Sequence, residues 1–349
     1  MRRLWCCLLI CSAAVWIGLP AAAENGAPSS PEPSLEYRPP RPALPVPKEP
    51  IPAPPVTMFT ESVGTFGIST GSFDGPIDVA TDSEGNFYAL DAGNNRVQKF
   101  DKYLKYVLSF GSYGSRPGEF KEPRAIAISP GGLLYVVDSG NHRVQQFDTN
   151  GVFISTWGAL GSRVNNFKYP NDITFENDTT FWVMDPGNER VVKYAFPSGH
   201  EKGGSPRFVE EFGSTFAKRG AVFTGLVSLA WSNDSHLGGL YVLSDGCLVQ
   251  QFRTDGSVEK SWPAIAPESG LCVPARIEVD DSGTDDYVYV LDAGNGLLLR
   301  FNLDGRFLAA LRGAERPFSQ PLGFAVSPER DEFYIADTKN NMVQKFTLR

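Results

Sequence analysis

Short apolar segments bounded by turn-forming residues fill the chain from residue 57 onwards. The first complete unit predicts four strands, over 77–81, 86–90, 96–100 and 106–110. These segments are rich in β-branched and aromatic residues, and polar residues with glycine separate them, as in strands joined by tight turns. A proline opens this unit and four later ones, at Pro76, Pro123, Pro170, Pro274 and Pro321.

One turn recurs almost unchanged in five of the units. Its copies are Asp91-Ala-Gly-Asn-Asn-Arg-Val-Gln-Lys-Phe100, Asp138-Ser-Gly-Asn-His-Arg-Val-Gln-Gln-Phe147, Asp185-Pro-Gly-Asn-Glu-Arg-Val-Val-Lys-Tyr194, Asp292-Ala-Gly-Asn-Gly-Leu-Leu-Leu-Arg-Phe301 and Asp337-Thr-Lys-Asn-Asn-Met-Val-Gln-Lys-Phe346. The aspartates recur every 47 or 45 residues, and the wider gap between the third and fourth copies has room for one degenerate unit. A period in the forties with several short strands per unit is typical of a β-propeller. The sequence therefore predicts an all-β fold, a six-bladed propeller of four-stranded blades.

The last unit ends at Arg349, directly after its third predicted strand. Its fourth strand is expected at the other end of the domain, because the segment ending in Phe66-Gly67 resembles the strand ending in Phe110-Gly111. We therefore expect the N-terminal strand to complete the last blade and to leave the ring without a free edge. The degenerate fourth blade is expected over about 222–262.

Residues 1–23 have the features of an export signal. Arg2-Arg3 precedes an apolar run over 4–19, and Ala21-Ala22-Ala23 offers the small residues that a signal peptidase requires. An uncleaved membrane anchor and a lipid attached at Cys11 are the alternatives, although lipidation sites require a residue smaller than Ile10. Each of them predicts an extracytoplasmic propeller, secreted or periplasmic, that contacts a membrane only through such an anchor.

The composition of residues 24–56 predicts a disordered polyproline stalk. Twelve prolines fall between residues 27 and 56, and this segment has no glycine. Proline lacks an amide donor and favours the extended polyproline II conformation. At about 3.1 Å per residue such a stalk reaches about 90 Å. The propeller is then expected over 57–349.

The repeated unit resembles the NHL repeat, named after the Asn-His-Leu of its turn. In the second unit the resemblance covers Pro-x-x-Ile and Leu-Leu-Tyr-Val-Val-Asp138-Ser-Gly-Asn141-His142-Arg143-Val-Gln-Gln-Phe147. It extends over 57–349, with blades one, two, three, five and six matching strongly and blade four in part. The resemblance implies a six-bladed propeller.

The repeated Asp-x-Gly-Asn turn is interpreted as structural, since an active site needs to be built only once. The carboxylate is expected to accept amide hydrogens of its own turn and to pair with a nearby arginine, while glycine supplies a positive φ. The residues concerned are Asp91, Asn94, Asp138, Asn141, Asp185, Asn188, Asp292, Asn295, Asp337 and Asn340. We therefore predict no catalytic residue among them.

The residues after each opening proline are expected to surround one mouth of the central channel. They form a polar ring of mixed charge, and a ligand-binding site is predicted there. The candidate ligand-binding residues are Asp78, Arg124, Asn171, Asp172 and Arg276. The alternative is that these are solvated loop residues without a ligand.

Enzymes that resemble this family give two further hypotheses. A zinc-dependent amidation lyase needs clustered histidines, whereas His142 lies on the mouth face and His200 and His236 are expected on the opposite face. Related lactonases hold calcium with Glu, Asn and Asp, so the alternative function is a calcium-dependent hydrolase or lactonase, or a lyase, that acts on a small substrate at the channel mouth. The favoured prediction is a non-enzymatic binding or scaffold module without a cofactor or metal, whose partner is an unidentified protein, peptide or small ligand.

Nucleic acid is not expected as a partner. The net charge is −8, with 32 basic and 40 acidic residues, and no cluster of lysine and arginine stands out in the sequence. Zinc-binding modules, which accompany NHL repeats in cytoplasmic ubiquitin ligases and RNA regulators, have no counterpart in the leader or the stalk.

Two of the five cysteines lie in the propeller. Cys247 occupies the degenerate turn of blade four, and Cys272 lies in the loop towards blade five. Both belong to the mouth face, and an exported protein with two such thiols is expected to join them. The alternative is two buried free thiols.

Overall fold

The computed structural model describes residues 57–199, 201–213, 225–234, 237–267, 269, 272–280, 286–312, 317–328 and 332–348. Within these residues the chain folds into six four-stranded antiparallel sheets that follow one another as the blades of a β-propeller. The leader and the proline-rich segment lie outside the described residues, so the expectations for them stay predictions. No helix among the described residues is long and apolar enough to cross a membrane.

In blades one to five the four strands form a meander in chain order from the channel outwards, and in blade six three strands in chain order are followed by the N-terminal strand. Blades one to three contain β2 (Pro76–Thr81), β3 (Phe87–Asp91), β4 (Arg96–Phe100), β5 (Tyr106–Phe110), β6 (Ala125–Ile128), β7 (Leu134–Asp138), β8 (Arg143–Phe147), β9 (Phe153–Trp157), β10 (Asp172–Phe175), β11 (Thr180–Asp185), β12 (Arg190–Ala195) and β13 (Arg207–Gly213). Blades four to six contain β14 (Leu226–Ser232), β15 (Gly239–Ser244), β16 (Leu248–Phe252), β17 (Val258–Pro263), β18 (Pro274–Asp280), β19 (Tyr287–Asp292), β20 (Leu297–Asn302), β21 (Phe307–Leu311), β22 (Pro321–Val326), β23 (Glu332–Asp337) and β24 (Met342–Leu348), with β1 (Thr57–Val63) as the outer strand of blade six.

The core lies between neighbouring blades, because consecutive side chains of a strand point to opposite faces of its sheet. The second strand of every blade places a large aromatic residue there, and each of these side chains is at most 2% exposed. The six residues are Tyr88, Tyr135, Trp182, Tyr241, Tyr289 and Tyr334. Buried aromatic side chains contribute most of the packing energy of such a core, so this one position holds all six blades together.

The N-terminal strand closes the ring, as the sequence predicted. β1 pairs antiparallel with β24, so the first and last strands of the domain are neighbours in the sheet of blade six. The position of its end was wrong by three residues, because β1 ends at Val63-Gly64 rather than at Phe66-Gly67. Gly64 has φ +120° and abuts Phe73, just as Gly111 has φ +96° and abuts Phe120. Phe66 instead lies in the following loop.

A disulfide joins Cys247 and Cys272 and confirms the predicted pairing. Cys247 lies in the turn between β15 and β16, and Cys272 precedes β18, with 6.2 Å between the two Cα atoms. The crosslink therefore joins the turn of blade four to the loop before the first strand of blade five. Blade four has Ser244 where the other blades have the turn aspartate.

We expect the double substitution C247A/C272A to lower the free energy of unfolding by about 3 kcal/mol, because the bond closes a loop of 25 residues. Chemical denaturation of the two proteins measures the difference. A reductant should destabilise the wild-type protein by a similar amount and leave the double variant unchanged. Equal stability of both proteins would contradict a stabilising role.

Candidate functional site

The aspartate of each repeated turn is fully buried and links two segments of its blade. In blade two, Asp138 Oδ1 accepts the backbone amide of Lys121, at 2.7 Å, from the loop that precedes the blade. Its Oδ2 accepts hydrogen bonds from the side chains of Asn141, Arg143 and Gln145, at 2.9, 2.7 and 3.1 Å. One carboxylate therefore satisfies four donors away from water.

The same side chains hold the preceding loop directly. Asn141 donates to the carbonyl of Gly114, and the Arg143 guanidinium donates to the carbonyls of Ser115, Arg116 and Glu119, at 2.8 to 2.9 Å. Blade one repeats these bonds one by one, and blade three repeats most of them. The repeated motif is thus a tether for the loop that joins consecutive blades on the mouth face.

Two details of the predicted turn were wrong. In blades one, two, three and six the amide that donates to Oδ1 comes from the preceding loop, and only Asp292 accepts amides of its own turn among these five aspartates. The positive φ falls on the fifth residue of the turn, such as Asn95 at 52°, and not on the glycine. Gly93 is needed because a Cβ there would lie 2.3 Å from the carbonyl oxygen of Asp74.

Burial raises the pKa of Asp91, Asp185 and Asp337, and the hydrogen bonds from the neighbouring Asn and other donors oppose that shift. A buried ion pair of this kind costs desolvation energy and depends on complete hydrogen bonding to be stable. The arrangement matches a structural role, because these buried carboxylates are bonded to their own turn and to the preceding loop.

The left-handed fifth residue of the turn makes the contact to the next blade. In blade six, Asn341 Oδ1 accepts the amide of Gly75 at 2.8 Å, and in blade two His142 Nδ1 accepts the amide of Tyr169 at 3.1 Å. The turn of blade four is one residue shorter, and Cys247, with φ 53°, is its left-handed residue directly before the third strand. The disulfide to Cys272 therefore links two neighbouring blades, as the hydrogen bonds of Asn341 and His142 do. It does not take over the role of the missing turn aspartate.

At the channel, three of the five predicted ligand-binding residues meet in one buried cluster. Arg276 Nη1 lies 2.7 Å from Asp172 Oδ1 and 3.3 Å from Asp78 Oδ2, although the three residues belong to blades five, three and one. Glu278 joins them, since its Oε1 accepts hydrogen bonds from Arg276 Nε and Nη2 at 3.0 and 2.9 Å. Three carboxyl groups thus surround one guanidinium.

The cluster also fastens the inner strands to each other. Asp78 Oδ2 accepts the amide of Ile126 from the next blade, and Asp172 Oδ2 accepts the amide of Leu229 in the same way. Gly323 provides the space on the other side, because a Cβ there would lie 2.6 Å from Asp78 Oδ1.

Sequence reasoning missed Ser228 and Glu278. Ser228 donates to Asp172 Oδ2 at 2.6 Å, but blade four has no opening proline to mark its inner strand. Glu278 lies two residues after Arg276 on the same strand, and the period of two along a strand was the signal that could have found it.

The cluster divides the channel into two cavities, and Arg276 lines both of them. The cavity on the mouth side has a volume of about 380 Å³. Asp78, Asp172 and Asn171 line it, and the exposed Arg124 lies at its rim. The cavity on the opposite side has about 420 Å³ and is lined mainly by small and aliphatic residues with Glu278.

Two residues that line the mouth cavity each have a buried acceptor oxygen without a hydrogen-bond partner. The two atoms are Asp78 Oδ1 and Asn171 Oδ1. Asn171 donates through Nδ2 to the carbonyls of Leu226 and Val227, which fixes the orientation of its amide. The two residues that carry these buried acceptors both line the mouth cavity.

Burial raises the pKa of Asp78 to about 7, and the nearby charge of Asp172 raises it further while Arg276 lowers it. Burial also raises the pKa of Glu278. One guanidinium does not neutralise three carboxylates, so protonation of Asp78 is one way in which the cluster can lose its excess negative charge.

The calcium site of the alternative hypothesis does not fit this geometry. A cation shared by Asp78 and Asp172 would need the position that the Arg276 guanidinium already fills. Among the described residues, no group of three or more His, Cys, Asp or Glu is arranged to hold a metal ion. Of the three histidines, His200 and His236 lie outside the described residues, so their expected position on the far face stays a prediction.

Comparison with known proteins assigns the repeat. The NHL repeat family matches residues 73–100, 120–147 and 318–346, which lie in blades one, two and six. The chain is therefore a six-bladed β-propeller that carries NHL repeats. The repeats expected in blades three and five lie outside the matched segments. No curated protein sequence matches the chain.

Solved structures of similar fold include several enzymes. The virginiamycin B lyase of Staphylococcus aureus is 14% identical with a TM-score of 0.57, covering 84% of this chain and 100% of that one. A gluconolactonase of Xanthomonas campestris is 15% identical with a TM-score of 0.55, covering 79% and 88%. A luciferin-regenerating enzyme is 16% identical with a TM-score of 0.52, covering 79% and 92%. At these identities the likeness shows the fold alone.

We expect stability to fall as pH rises from about 4 to about 7, because Asp78 binds its proton more tightly in the folded than in the unfolded protein. The total loss from this group is about 4 kcal/mol. Substitution D78N should remove that part of the slope in denaturation curves measured across the pH range. The control D101N, in a turn remote from the channel, should keep it. Identical slopes for wild type and D78N would contradict the assignment.

Proposed function

We propose that the protein is a binding module whose mouth cavity takes a hydrogen-bond-donating or cationic group. The group belongs to a small ligand, a peptide or a side chain of a protein partner. The observation that carries the proposal is the pair of buried, unpartnered acceptors, Asp78 Oδ1 and Asn171 Oδ1, on two residues that line a cavity of about 380 Å³.

The energetics support a donor as the ligand group. A buried acceptor without a partner costs about 1–3 kcal/mol, which a ligand donor recovers on binding. The excess of carboxylates over the one guanidinium in the cluster adds an attraction for a positive charge. A protonated amine or a guanidinium meets both requirements.

A calcium-dependent hydrolase is less well supported as the function. It requires a cation between the carboxylates that Arg276 already bridges. Binding without chemistry needs only the cavity and its acceptors. The role of Asp78, Asn171 and Asp172 in binding remains part of the proposal.

The proposed location is extracytoplasmic. The Cys247–Cys272 disulfide is compatible with an oxidising compartment, and the basic start and apolar run of the leader support export. Residues 24–56 are proposed to carry the propeller away from the membrane or from the leader as a stalk.

Titration with capped tripeptides tests the proposal. Peptides with a central lysine or arginine should bind in isothermal titration calorimetry, whereas the counterpart with norleucine should not, because it has the length but lacks the donor. D78N should weaken binding of the lysine peptide about tenfold, a difference of about 1.4 kcal/mol. N171A provides a second variant in the cavity lining.

The matched control is D101N, which removes a carboxylate from a turn between β4 and β5. It should bind the lysine peptide as the wild-type protein does. Equal binding of the norleucine peptide, or full affinity in both D78N and N171A, would overturn the proposal.

A further inference from the structure

The loops between consecutive blades expose large apolar side chains on the mouth face. Six residues in the loops before blades one, two and three are between 52% and 80% exposed. We call this set the mouth-face arc, and it consists of Phe66, Ile68, Tyr113, Leu160, Val164 and Tyr169. Single exposed apolar residues are common on protein surfaces, but a set gathered on one face indicates contact with another molecule.

The arc follows the repeat and is not a random scatter. Phe66, Tyr113 and Leu160 occupy the same position of three successive loops, each in a bridge to the phenylalanine seven residues later. Those phenylalanines are completely buried, whereas the three arc residues point outwards. Each of these loops thus has one buried and one exposed apolar side chain. Packing in the core accounts for the buried side chain but not for the exposed one.

The loops hold these side chains in a fixed conformation. Gly114 donates its amide to the carbonyl of Phe120, and Phe120 donates to Ser112, and the loops with Phe66 and Leu160 repeat both bonds. The Asp–Asn–Arg tether of the repeated turn also holds these loops by hydrogen bonds to their backbone carbonyls. A partner would find the apolar side chains already in position, so little conformational entropy is lost on binding.

Unpaired positive charges lie in the same loops. Five exposed basic residues occur there, namely Arg116, Lys121, Arg124, Arg163 and Lys168. Their side chains form no ion pair within the described part of the chain, although Lys99, Lys193 and Lys345 on the blades are paired with carboxylates. With Glu119 and Glu122 included, the loops over 111–124 and 158–171 carry a net charge of +3 in a protein of net charge −8.

We propose that the mouth-face arc docks an acidic protein segment that carries apolar side chains. The apolar side chains pack on residues such as Tyr113 and Leu160, and the acidic ones meet the five cations. Aromatic anchors supply most of the energy at such interfaces, while the charges set the approach and the orientation.

The charge distribution favours a protein over a polyanion. The centre of the same face is the mouth cavity, whose lining has three acidic residues, Asp78, Asp172 and the exposed Glu122, against the two basic residues Arg124 and Arg276. A nucleic acid or an anionic membrane laid across the face brings phosphates against these carboxylates. A protein segment can place acidic residues over the arc and a donor over the cavity.

Fluorescence anisotropy with labelled synthetic peptides tests this inference. The first peptide alternates glutamate with leucine and phenylalanine, the second has lysine for glutamate, and the third has serine for the apolar residues. Only the first should bind the purified protein well, and its affinity should fall as salt rises.

The double variants Y113S/L160S and R116E/K168E should each weaken binding of the first peptide by at least about tenfold. Matched controls on the opposite face are Y103S/V152S and K105E/K202E, which change equally exposed residues and should bind as wild type. Y113S/L160S should retain binding of the capped lysine tripeptide, which separates the arc from the cavity.

Three outcomes would overturn the inference. The second or third peptide could bind as well as the first, or the control variants could lose as much affinity as the arc variants. Alternatively, oligothymidylate or phosphatidylglycerol vesicles could bind the arc while no peptide does, which would identify a polyanion surface instead.

Discussion

The buried aspartate of the repeated turn is the interaction on which the mouth face depends. Asp138 collects four hydrogen bonds, one from the loop before its blade and three from side chains of its own turn and strand. Those side chains in turn hold the carbonyls of the loop. A buried carboxylate that lost these donors would cost several kcal/mol, so turn and loop form one unit.

The unit of turn and loop recurs in several blades, whereas the residues that line the channel differ from blade to blade. The tether is repeated and leaves no group free for binding, whereas the inner strands and the loops it supports vary in sequence. Asp78, Asp172 and Arg276 occupy equivalent positions where other blades have Ala125, Ser228 and Gly323. The asymmetry of charge in the channel, and the apolar arc on three of the loops, therefore arise from residues that differ between the blades.

The repeat made the architecture predictable from the sequence. The period and the turn-forming residues predict six blades. The last blade lacks a fourth strand in the sequence, which predicts that the N-terminal strand closes it. The placement of Cys247 and Cys272 predicts their disulfide. The end of β1 was misplaced because Val63-Gly64 and Phe66-Gly67 both resemble a strand end, and only the packing of Gly64 against Phe73 distinguishes them.

The channel cluster was only partly predictable. Its members were found individually, but a contact between Asp172 and Arg276, 104 residues apart, depends on the closure of the ring. Glu278 was not predicted because it lies beyond the positions directly after the opening proline. Ser228 was not predicted because it belongs to the degenerate blade, which has no opening proline.

Amide hydrogen exchange tests the central claim most directly, that the buried carboxylate holds the mouth-face loop in place. In the wild-type protein, the amides of Gly114, Phe120 and Lys121 should exchange as slowly as those of the neighbouring strands. In D138A, exchange of these loop amides should speed up by at least about tenfold, while the strands of blade five remain protected. Fast exchange of the loop in the wild-type protein, or no change in D138A, would contradict the account.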